Sequence, residues 1–162
     1  MDHRSNIRNY HPGDREKLIS ILSRSEPWRT LGYSAQDWDK LFTIVEAGPP
    51  REAYVIECDG QPDGLAVVRR RFLFGDYLEL LAVSPARRGQ GLGRLLLTHV
   101  EEQTFARANN LFACVSDFNA DARRFYEHQG YAEVGSLRNL LVDGRDEILL
   151  RKTTGPARAS GA

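Results

Sequence analysis

The stretch "ARRGQGLGRLLL", residues 86–97, places three glycines and three arginines within eight residues and then continues into leucine. The preceding segment, residues 77–84, is apolar and strand-like, and apolar residues recur at helical spacing from Leu92 to Val100. The glycines therefore lie where a strand passes into the first turn of a helix. Backbone N–H groups there have no intrahelical partner and the helix dipole favours negative charge, which predicts a site for a diphosphate.

Two well-known phosphate loops do not match this stretch. A Walker loop ends in Lys-Ser or Lys-Thr, whereas Gly93 is followed by Arg94 and Leu95. The dinucleotide-binding fingerprint spaces its glycines differently and stands near the start of a β-α-β unit. A tight strand-to-helix turn, with glycine used only for its backbone freedom, is the alternative to an anion site.

The chain before this stretch alternates between strand and helix patterns. Apolar runs at residues 52–58 and 64–70 flank "DGQPD", in which Asp-Gly predicts a tight hairpin turn. Ser34 and Asp37 form a capping-box variant ahead of an apolar stripe, which predicts a helix. Asp14 is predicted to cap an earlier helix.

A first strand is predicted at residues 6–10, and "RRR" at residues 69–71 is interpreted as a solvated strand end.

The chain after the glycines predicts a buried strand at residues 111–116, a short helix capped by Asn119, and a final hairpin. That hairpin is predicted to join "NLLV" to "EILLRK" through a turn at Asp143-Gly144. These elements indicate one α/β domain over residues 1–152, with a mixed, mostly antiparallel central sheet flanked by helices. Residues 153–162 lack apolar content and are predicted to form a disordered tail.

The composition excludes several classes of partner. Lysine plus arginine and aspartate plus glutamate number 22 each, so no net field attracts nucleic acid or an anionic membrane. No apolar run approaches the length of a bilayer span, and the N-terminus lacks the core of a signal peptide, so we expect a cytoplasmic protein. Cys58 and Cys114 lack metal-ligand spacing and are expected to be buried free thiols without a metal, although pairing stays open.

Arg88-Gly89-Gln90-Gly91-Leu92-Gly93 matches the Arg/Gln-x-x-Gly-x-Gly/Ala signature of the GNAT family of N-acetyltransferases. The chain resembles that family in two further respects: "SDFNADARRFYEHQGYAEVG" is similar to its later asparagine-tyrosine segment, and the order of elements agrees from residue 6 to residue 152. The resemblance implies a fold in which the fourth strand carries a bulge and splays from the fifth.

The resemblance also implies that acetyl-CoA is the cosubstrate and that the acetyl group passes to an amine by direct attack in a ternary complex. Main-chain groups of the fourth strand would pair with the pantetheine arm, the glycine-rich loop would hold the diphosphate, and Asn119 would both cap its helix and contact the cofactor. The expected cofactor-binding residues are Leu81, Ala82, Val83, Arg88, Gly89, Gln90, Gly91, Leu92, Gly93, Arg94 and Asn119, with added charge from Arg87.

The chemistry implied by the family needs an acid for the departing thiolate, a donor for the oxyanion and a base for the amine. Tyr126 is expected to be the acid, although its helical spacing equally fits a core aromatic, and the Val83 N–H is expected to meet the oxyanion. Glu79, within the apolar fourth strand, is the first candidate for the base, and Asp117 is the second. Under strand alternation Glu79 would share a face with Tyr77, Leu81 and Val83; the alternatives are a position on the solvated side and an ion pair with a nearby arginine such as Arg69 or Arg71.

The irregular segment at residues 25–38 is expected to bind the substrate through Trp28, Arg29 and Tyr33, although Trp28 equally fits a plug over the core. The predicted acceptor is a primary amine of a small molecule or a peptide. The alternatives are a non-catalytic sensor of acetyl-CoA and an enzyme that acetylates protein N-termini or lysines. A homodimer through the C-terminal hairpin is left open.

Overall fold

One sheet organises residues 4–158, the part of the chain that the computed structural model describes. Its strands are β1 (Ser5–Asn9), β2 (Arg51–Cys58), β3 (Gln61–Phe72), β4 (Gly75–Val83), β5 (Asn110–Ser116), β6 (Ala132–Leu137) and β7 (Glu147–Thr153). They pair in the order β1-β2-β3-β4-β5-β7-β6. Every neighbouring pair is antiparallel except the parallel pair of β4 and β5. The predicted mixed, mostly antiparallel sheet is confirmed.

The helices connect these strands across both faces of the sheet. They are α1 (Arg15–Leu22), α2 (Trp28–Leu31), α3 (Ala35–Glu46), α4 (Leu92–Phe105) and α5 (Ala120–His128). The short α2 lies inside the segment that was predicted to be irregular. None of the helices in the described part of the chain combines the length and the apolarity that crossing a bilayer requires.

Two hydrophobic clusters hold the layers together. On the α4/α5 face, Leu96 and Val100 of α4 and Tyr126 of α5 pack against strands from β2 to β7. On the α1/α3 face, Trp38 and Phe42 of α3 pack together with residues of α1 against strands β2, β3 and β4. The α1/α3 face of β5 and β7 therefore lies outside that cluster.

The capping prediction is confirmed for α3 and wrong for α1. The Asp37 carboxylate accepts from the Ser34 N–H at 2.7 Å, and the Ser34 hydroxyl oxygen accepts from the Asp37 N–H. The Asp14 side chain makes no capping bond to α1. It accepts instead from Arg8 at 2.8 and 2.9 Å and from the His11 N–H at 2.9 Å. The guanidinium of Arg8 is the stronger partner because its hydrogen bonds to a carboxylate are charge-assisted.

The hairpin between β2 and β3 turns at Asp59-Gly60, as predicted. Both residues have a positive φ, 51° for Asp59 and 76° for Gly60, as a type I′ turn requires. The solvated strand end predicted at residues 69–71 is wrong for Arg70. Its side chain is 6% exposed, because Asp76 and Glu52 compensate its buried charge.

The first strand of the predicted last hairpin is wrong. The strand that forms the hairpin with β7 is β6. "NLLV" at residues 139–142 lies in the loop between β6 and β7, where Leu140 and Leu141 are half exposed. Because β6 is an edge strand that is exposed along nearly its whole length, it has no apolar alternation to reveal it. The turn at Gly144, with a φ of 77°, does exist, within that loop.

Both cysteines are free thiols, as expected; Cys58 is buried and Cys114 is half-buried. The first residues of the predicted disordered tail are ordered. Thr153 ends β7, and the Thr154 N–H donates to the Asn109 carbonyl at 2.9 Å. Residues 159–162 lie outside the described residues, and disorder there stays a prediction.

Candidate active site

Strands β4 and β5 separate midway along their length. Their parallel pairing runs from Gly75 opposite Asn110 to Leu78 opposite Ala113. Beyond these pairs β4 continues to Val83 and β5 continues to Ser116 without pairing to each other. The splay expected between the fourth and fifth strands is confirmed, and it opens a gap through the sheet.

A bulge in β4 stands at the start of this gap. Val68 of β3 lies opposite Leu78 and Val67 lies opposite Leu80, so that Glu79 has no partner in β3. The extra residue shifts the alternation of side chains, because Leu81 then packs on the α4/α5 face. The expectation that Glu79 shares a face with Leu81 and Val83 assumed an uninterrupted strand and is wrong.

The main chain beyond the bulge presents alternate residues to the gap. The Ser84 N–H donates to the Asp63 carbonyl of β3 at 2.7 Å. Because successive N–H groups of a strand point to opposite sides, those of Leu81 and Val83 point away from β3, towards the gap. A Cβ added at Gly64 of β3 would lie 2.8 Å from the Ala82 carbonyl oxygen, so Ala82 is turned towards β3. The free strand edge consists of Leu81 and Val83.

The glycine-rich loop leaves its N–H groups open. Gly89 and Gly91 have φ values of 75° and 79°, in the left-handed region that favours glycine, and Gly91 is the N-cap of α4 without a side-chain cap. Within residues 4–158, the backbone N–H groups from Arg88 to Arg94 donate no hydrogen bond. Gly93 differs, because a Cβ there would make only ordinary contacts with Val83 and Phe125.

The three arginines of the loop have different surroundings. Arg87 forms ion pairs with Asp63 at 3.2 Å and Asp59 at 3.5 Å, so its charge is compensated on the β2–β3 side. Arg88 and Arg94 are exposed and form no ion pair within the described part of the chain. Arg87 nevertheless lines the same cleft as Arg88 and Arg94, so its contribution to the anion site stays a prediction.

A cleft of about 810 Å³ joins the loop to the gap. Its walls are formed by the free edge of β4, the glycine-rich loop and the first half of α5; they include Leu81, Val83, Arg88, Gly89, Gly91, Leu92, Gly93, Arg94, Asn119, Phe125 and Tyr126. We call this space the main cleft. Of the predicted cofactor-binding residues, Ala82 and Gln90 do not line it.

Asn119 caps α5 in the predicted way. Its side-chain oxygen accepts from the Ala122 N–H at 3.2 Å. Its side-chain nitrogen has no partner within residues 4–158, and the residue lines the main cleft. The cap and a contact with a bound molecule are therefore compatible.

Tyr126 lies on α5 where the main cleft meets the gap. It is 7% exposed and packs edge-on against Phe125 and Tyr131 with ring centroids at 5.2 and 5.3 Å. Burial raises the pKa of its phenol far above the usual value, with a smaller contribution from Cys114, so the hydroxyl is protonated at neutral pH. That hydroxyl makes no hydrogen bond within the described residues. Tyr126 is thus both a core aromatic and a lining residue of the cleft.

Glu79 forms an ion pair, although not with the arginines expected. Its two carboxylate oxygens accept from Nε and Nη2 of Arg51 at 2.8 and 3.0 Å, and both side chains are largely buried. Protonation of Glu79 would disrupt this bidentate ion pair. Asp117, the second candidate, accepts from the Asp146 N–H at 3.1 Å in the β6–β7 loop. The role of either carboxylate as a base stays a prediction.

The segment predicted to bind substrate packs mainly on the α1/α3 face. Trp28 packs edge-on against Trp38 with ring centroids at 5.6 Å, and Tyr33 lies 5.1 Å from the same ring. Arg29 is exposed. Glu26 and Thr30, which sequence reasoning did not single out, line the main cleft. A role for Trp28, Arg29 and Tyr33 in substrate binding stays a prediction.

Sequence reasoning also missed Glu147 and Ser116, which meet beside the gap. Ser116, at the end of β5, donates its hydroxyl proton to a Glu147 carboxylate oxygen at 2.6 Å. The two residues are 31 positions apart, and nothing near either indicates the contact. Only the pairing of β5 with β7 brings them together.

Comparison with known proteins gives consistent results. The sequence model of the acetyltransferase (GNAT) family matches residues 15–131. An N-acetyltransferase of Methanocaldococcus jannaschii is 35% identical over 105 residues, 64% of this chain and 67% of that protein. A peptidyl-lysine N-acetyltransferase of Salmonella typhimurium is 28% identical over 134 residues, 80% of this chain and 85% of that protein.

Among solved structures, an aminoglycoside 6′-N-acetyltransferase complexed with coenzyme A superposes with a TM-score of 0.75 at 18% identity, covering 96% of this chain and 99% of that one. At this identity the likeness concerns the fold. The glycine-rich loop, the splayed strands and the match over most of the chain lead to one conclusion: this chain belongs to the GNAT family of acetyltransferases.

Proposed function

We propose that the protein transfers an acetyl group from acetyl-CoA to a primary amine of a small molecule or a peptide, by direct attack in a ternary complex. The observation that carries this proposal is the main cleft. It joins a loop of unpaired N–H groups to a gap in the sheet, with a protonated phenol at the junction.

The residues of the main cleft fit the coenzyme. The diphosphate would accept hydrogen bonds from the open N–H groups of the loop, with charge from Arg88 and Arg94. The amides of the pantetheine arm would pair with the edge formed by Leu81 and Val83, as an added strand does. The side-chain nitrogen of Asn119 is a further donor to that arm.

The thioester of acetyl-CoA supplies an activated acetyl group, and the chain supplies the proton donors. The Val83 N–H, which points towards the gap, would stabilise the oxyanion. Tyr126 would protonate the departing sulfur. Burial raises the pKa of a thiol in the same place together with that of the phenol, so it does not by itself widen the difference between the two groups. Because an ordinary phenol has a pKa about 1.5 above that of an ordinary thiol, breaking of the C–S bond has to drive the transfer.

Two observations bear on which amine is the acceptor. Similarity to the peptidyl-lysine acetyltransferase of Salmonella typhimurium supports a lysine amine. In contrast, α2 and its loop reach the main cleft through Glu26 and Thr30, which supports a smaller acceptor. The proposal also includes a cytoplasmic location, a site that works without a metal, and a homodimer.

A thiol-release screen tests the proposal. Purified protein with acetyl-CoA is offered amino acids, polyamines, aminoglycosides and short lysine peptides, and free coenzyme A is measured against time. We expect release with at least one class of amine and saturable binding of coenzyme A by calorimetry. Binding without release on the whole panel would favour a sensor of acetyl-CoA, and no binding would overturn the proposal.

A further inference from the structure

Glu147 is a buried carboxylate at the edge of the gap, on the face opposite the main cleft. It is 4% exposed and begins β7, directly opposite Ser116 of β5. Ile148 and Leu150 face the α4/α5 cluster, so the side chain of Glu147 lies on the α1/α3 face. No residue of β5 or β7 belongs to the α1/α3 cluster, although Tyr33, which packs against that cluster, lies near Glu147.

One oxygen of Glu147 is engaged and the other is available. Oε1 accepts from the Ser116 hydroxyl at 2.6 Å, which orients the carboxylate. Among the described residues, the fully buried polar side-chain atoms without a partner are Trp38 Nε1 and Arg70 Nε. Oε2 of Glu147 accepts no hydrogen bond from the described residues and is not one of these fully buried atoms, so a small part of its surface stays exposed.

The groups around Glu147 leave its charge uncompensated. Burial raises the pKa of its carboxyl; the Ser116 hydrogen bond lowers it and the negative charge of Asp117 raises it further. Tyr33 in the loop before α3, Tyr77 of β4 and Cys114 of β5 lie within electrostatic reach of Glu147, and Glu79 lies within reach of Tyr77. Within residues 4–158 no cation pairs with it. A positively charged group is what this position lacks.

Cys114 lies within electrostatic reach of both Glu147 and Tyr126. It directly follows Ala113, the last residue of β5 that pairs with β4. Both groups therefore lie in the region where the two strands begin to separate. Glu79 is nearby as well, but Arg51 already occupies both of its carboxylate oxygens.

We propose that Glu147 binds the ammonium group of the acceptor and takes its proton, with Ser116 as the residue that positions the carboxylate. This inference rests on the proposed function and assigns to β7 the base that the sequence placed on β4. The acceptor enters from the α1/α3 face, while the coenzyme occupies the main cleft on the α4/α5 face.

The protons balance over one turnover. The ammonium gives one proton to Glu147, and the free amine forms the new C–N bond as the C–S bond breaks. The sulfur takes its proton from Tyr126, the nitrogen loses its second proton to restore Tyr126 through the gap, and Glu147 releases its proton to solvent. The products are the amide, the free thiol and one proton.

The test compares the pH profiles of Glu147→Gln and wild type, using the amine that gives the fastest thiol release in the screen. Glutamine retains the oxygen that accepts from Ser116 but does not take a proton. We expect kcat/KM to fall by roughly 100-fold at pH 7, the lower range for loss of a general base. The difference in kcat/KM between Glu147→Gln and wild type should shrink as the pH approaches about 10, because the amine is then deprotonated in solution.

Glu101→Gln is the matched control. Glu101 is also a largely buried carboxylate that accepts from a hydroxyl, that of Tyr131 at 3.0 Å, but it lies on α4 away from the gap. Its variant should keep the wild-type profile. Calorimetry with coenzyme A shows whether each variant still folds and binds, and Ser116→Ala, which keeps the carboxylate, should lower kcat/KM less than Glu147→Gln.

The outcomes separate the two proposals. If wild type releases thiol and Glu147→Gln matches it at every pH, Glu147 is not the base, although the proposed function holds. The assignment is also overturned if the loss of kcat/KM in Glu147→Gln persists at high pH. It is overturned as well if Glu79→Gln, instead of Glu147→Gln, shows a loss of kcat/KM that recovers at high pH. A wild type that releases no thiol with any amine overturns the proposed function and this inference with it. Should Glu147→Gln not fold, the profile of Ser116→Ala decides: an unchanged profile refutes the inference.

Discussion

Single residues decide how the main cleft treats a bound molecule. Gly91 is required by its backbone, since its positive φ turns the chain into α4 and directs the following N–H groups outwards. Tyr126 is the phenol that lines the described part of the cleft. Under the proposed function Gly91 would act in binding and Tyr126 in turnover, so substitutions at the two positions should have separate effects.

Gly91→Glu should weaken coenzyme A binding by roughly 100-fold or more, because like-charge contacts cost several kcal/mol. The positive φ adds a backbone cost of about 1–2 kcal/mol to any side chain there. Gly48→Glu is the matched control, because Gly48 also has a positive φ, of 86°, with open space around it. Calorimetry should find wild-type affinity in that control; the same affinity in Gly91→Glu would refute the placement of the diphosphate.

Tyr126→Phe should lower kcat by a factor of roughly 10² or more while the affinity for acetyl-CoA changes little, because only the proton donor is removed. Tyr131→Phe, in the same aromatic cluster but bonded to Glu101, should keep kcat near wild type. Steady-state kinetics and calorimetry make the comparison. Full turnover by Tyr126→Phe would remove Tyr126 from the mechanism.

At the scale of elements, a buried cluster of polar side chains connects α4 to the sheet through hydrogen bonds. Arg70 of β3 donates to Asp76 of β4 at 2.7 Å and to Glu52 of β2 at 2.6 Å. Thr104 of α4 donates to the same Asp76 carboxylate at 2.8 Å. Because the cluster holds the C-terminal end of α4 against three strands, it also sets where the N-terminal end presents the glycine-rich loop.

Asp76→Asn should lower the free energy of unfolding by about 3 kcal/mol, since it leaves the buried Arg70 charge with one carboxylate instead of two. Arg107→Ala removes an exposed partner of the same carboxylate, at 3.6 Å, and should cost less than about 1 kcal/mol. Urea denaturation measures both variants. Equal small losses would mean that the cluster does not fasten the helix.

The elements also differ in how well the sequence predicts them. The α3 helix could be predicted because its cap and apolar stripe are local and agree. The β6 strand could not, because an edge strand exposed on both faces carries no period, and the apolar run at residues 139–142 drew the prediction into a loop. The bulge at Glu79 was also hidden, because it is defined only by the register against β3.

On the scale of the whole molecule, the two faces of the sheet are packed differently. The α4/α5 cluster includes residues of β2, β3, β4, β5 and β7, whereas the α1/α3 cluster includes residues of β2, β3 and β4 but none of β5 or β7. Under the two proposals, the coenzyme and the acceptor approach from different sides. The cost of this arrangement is a carboxylate, Glu147, buried without a counter-charge.

Glu147→Gln should accordingly raise the stability of the fold at pH 8. The folded pKa of Glu147 lies above the unfolded one because of burial, so the stability it contributes is present below the unfolded pKa and lost as the pH rises through the folded pKa. Glutamine, which stays neutral, avoids this loss. Thermal unfolding should give a higher Tm for the variant at pH 8 and converging values near pH 4; a lower Tm at pH 8 would contradict it.

The sequence by itself determined the glycine-rich loop and the elements around it, because a strand, three spaced glycines and an apolar helix stripe are adjacent in the chain and act through local geometry. The tertiary structure alone decided which face Glu79 takes, that Arg51 is its partner, and that Glu147 meets Ser116 beside the gap. These contacts depend on strand order and on one bulge, which arise from pairing between segments about 30 residues apart. No local pattern encodes them.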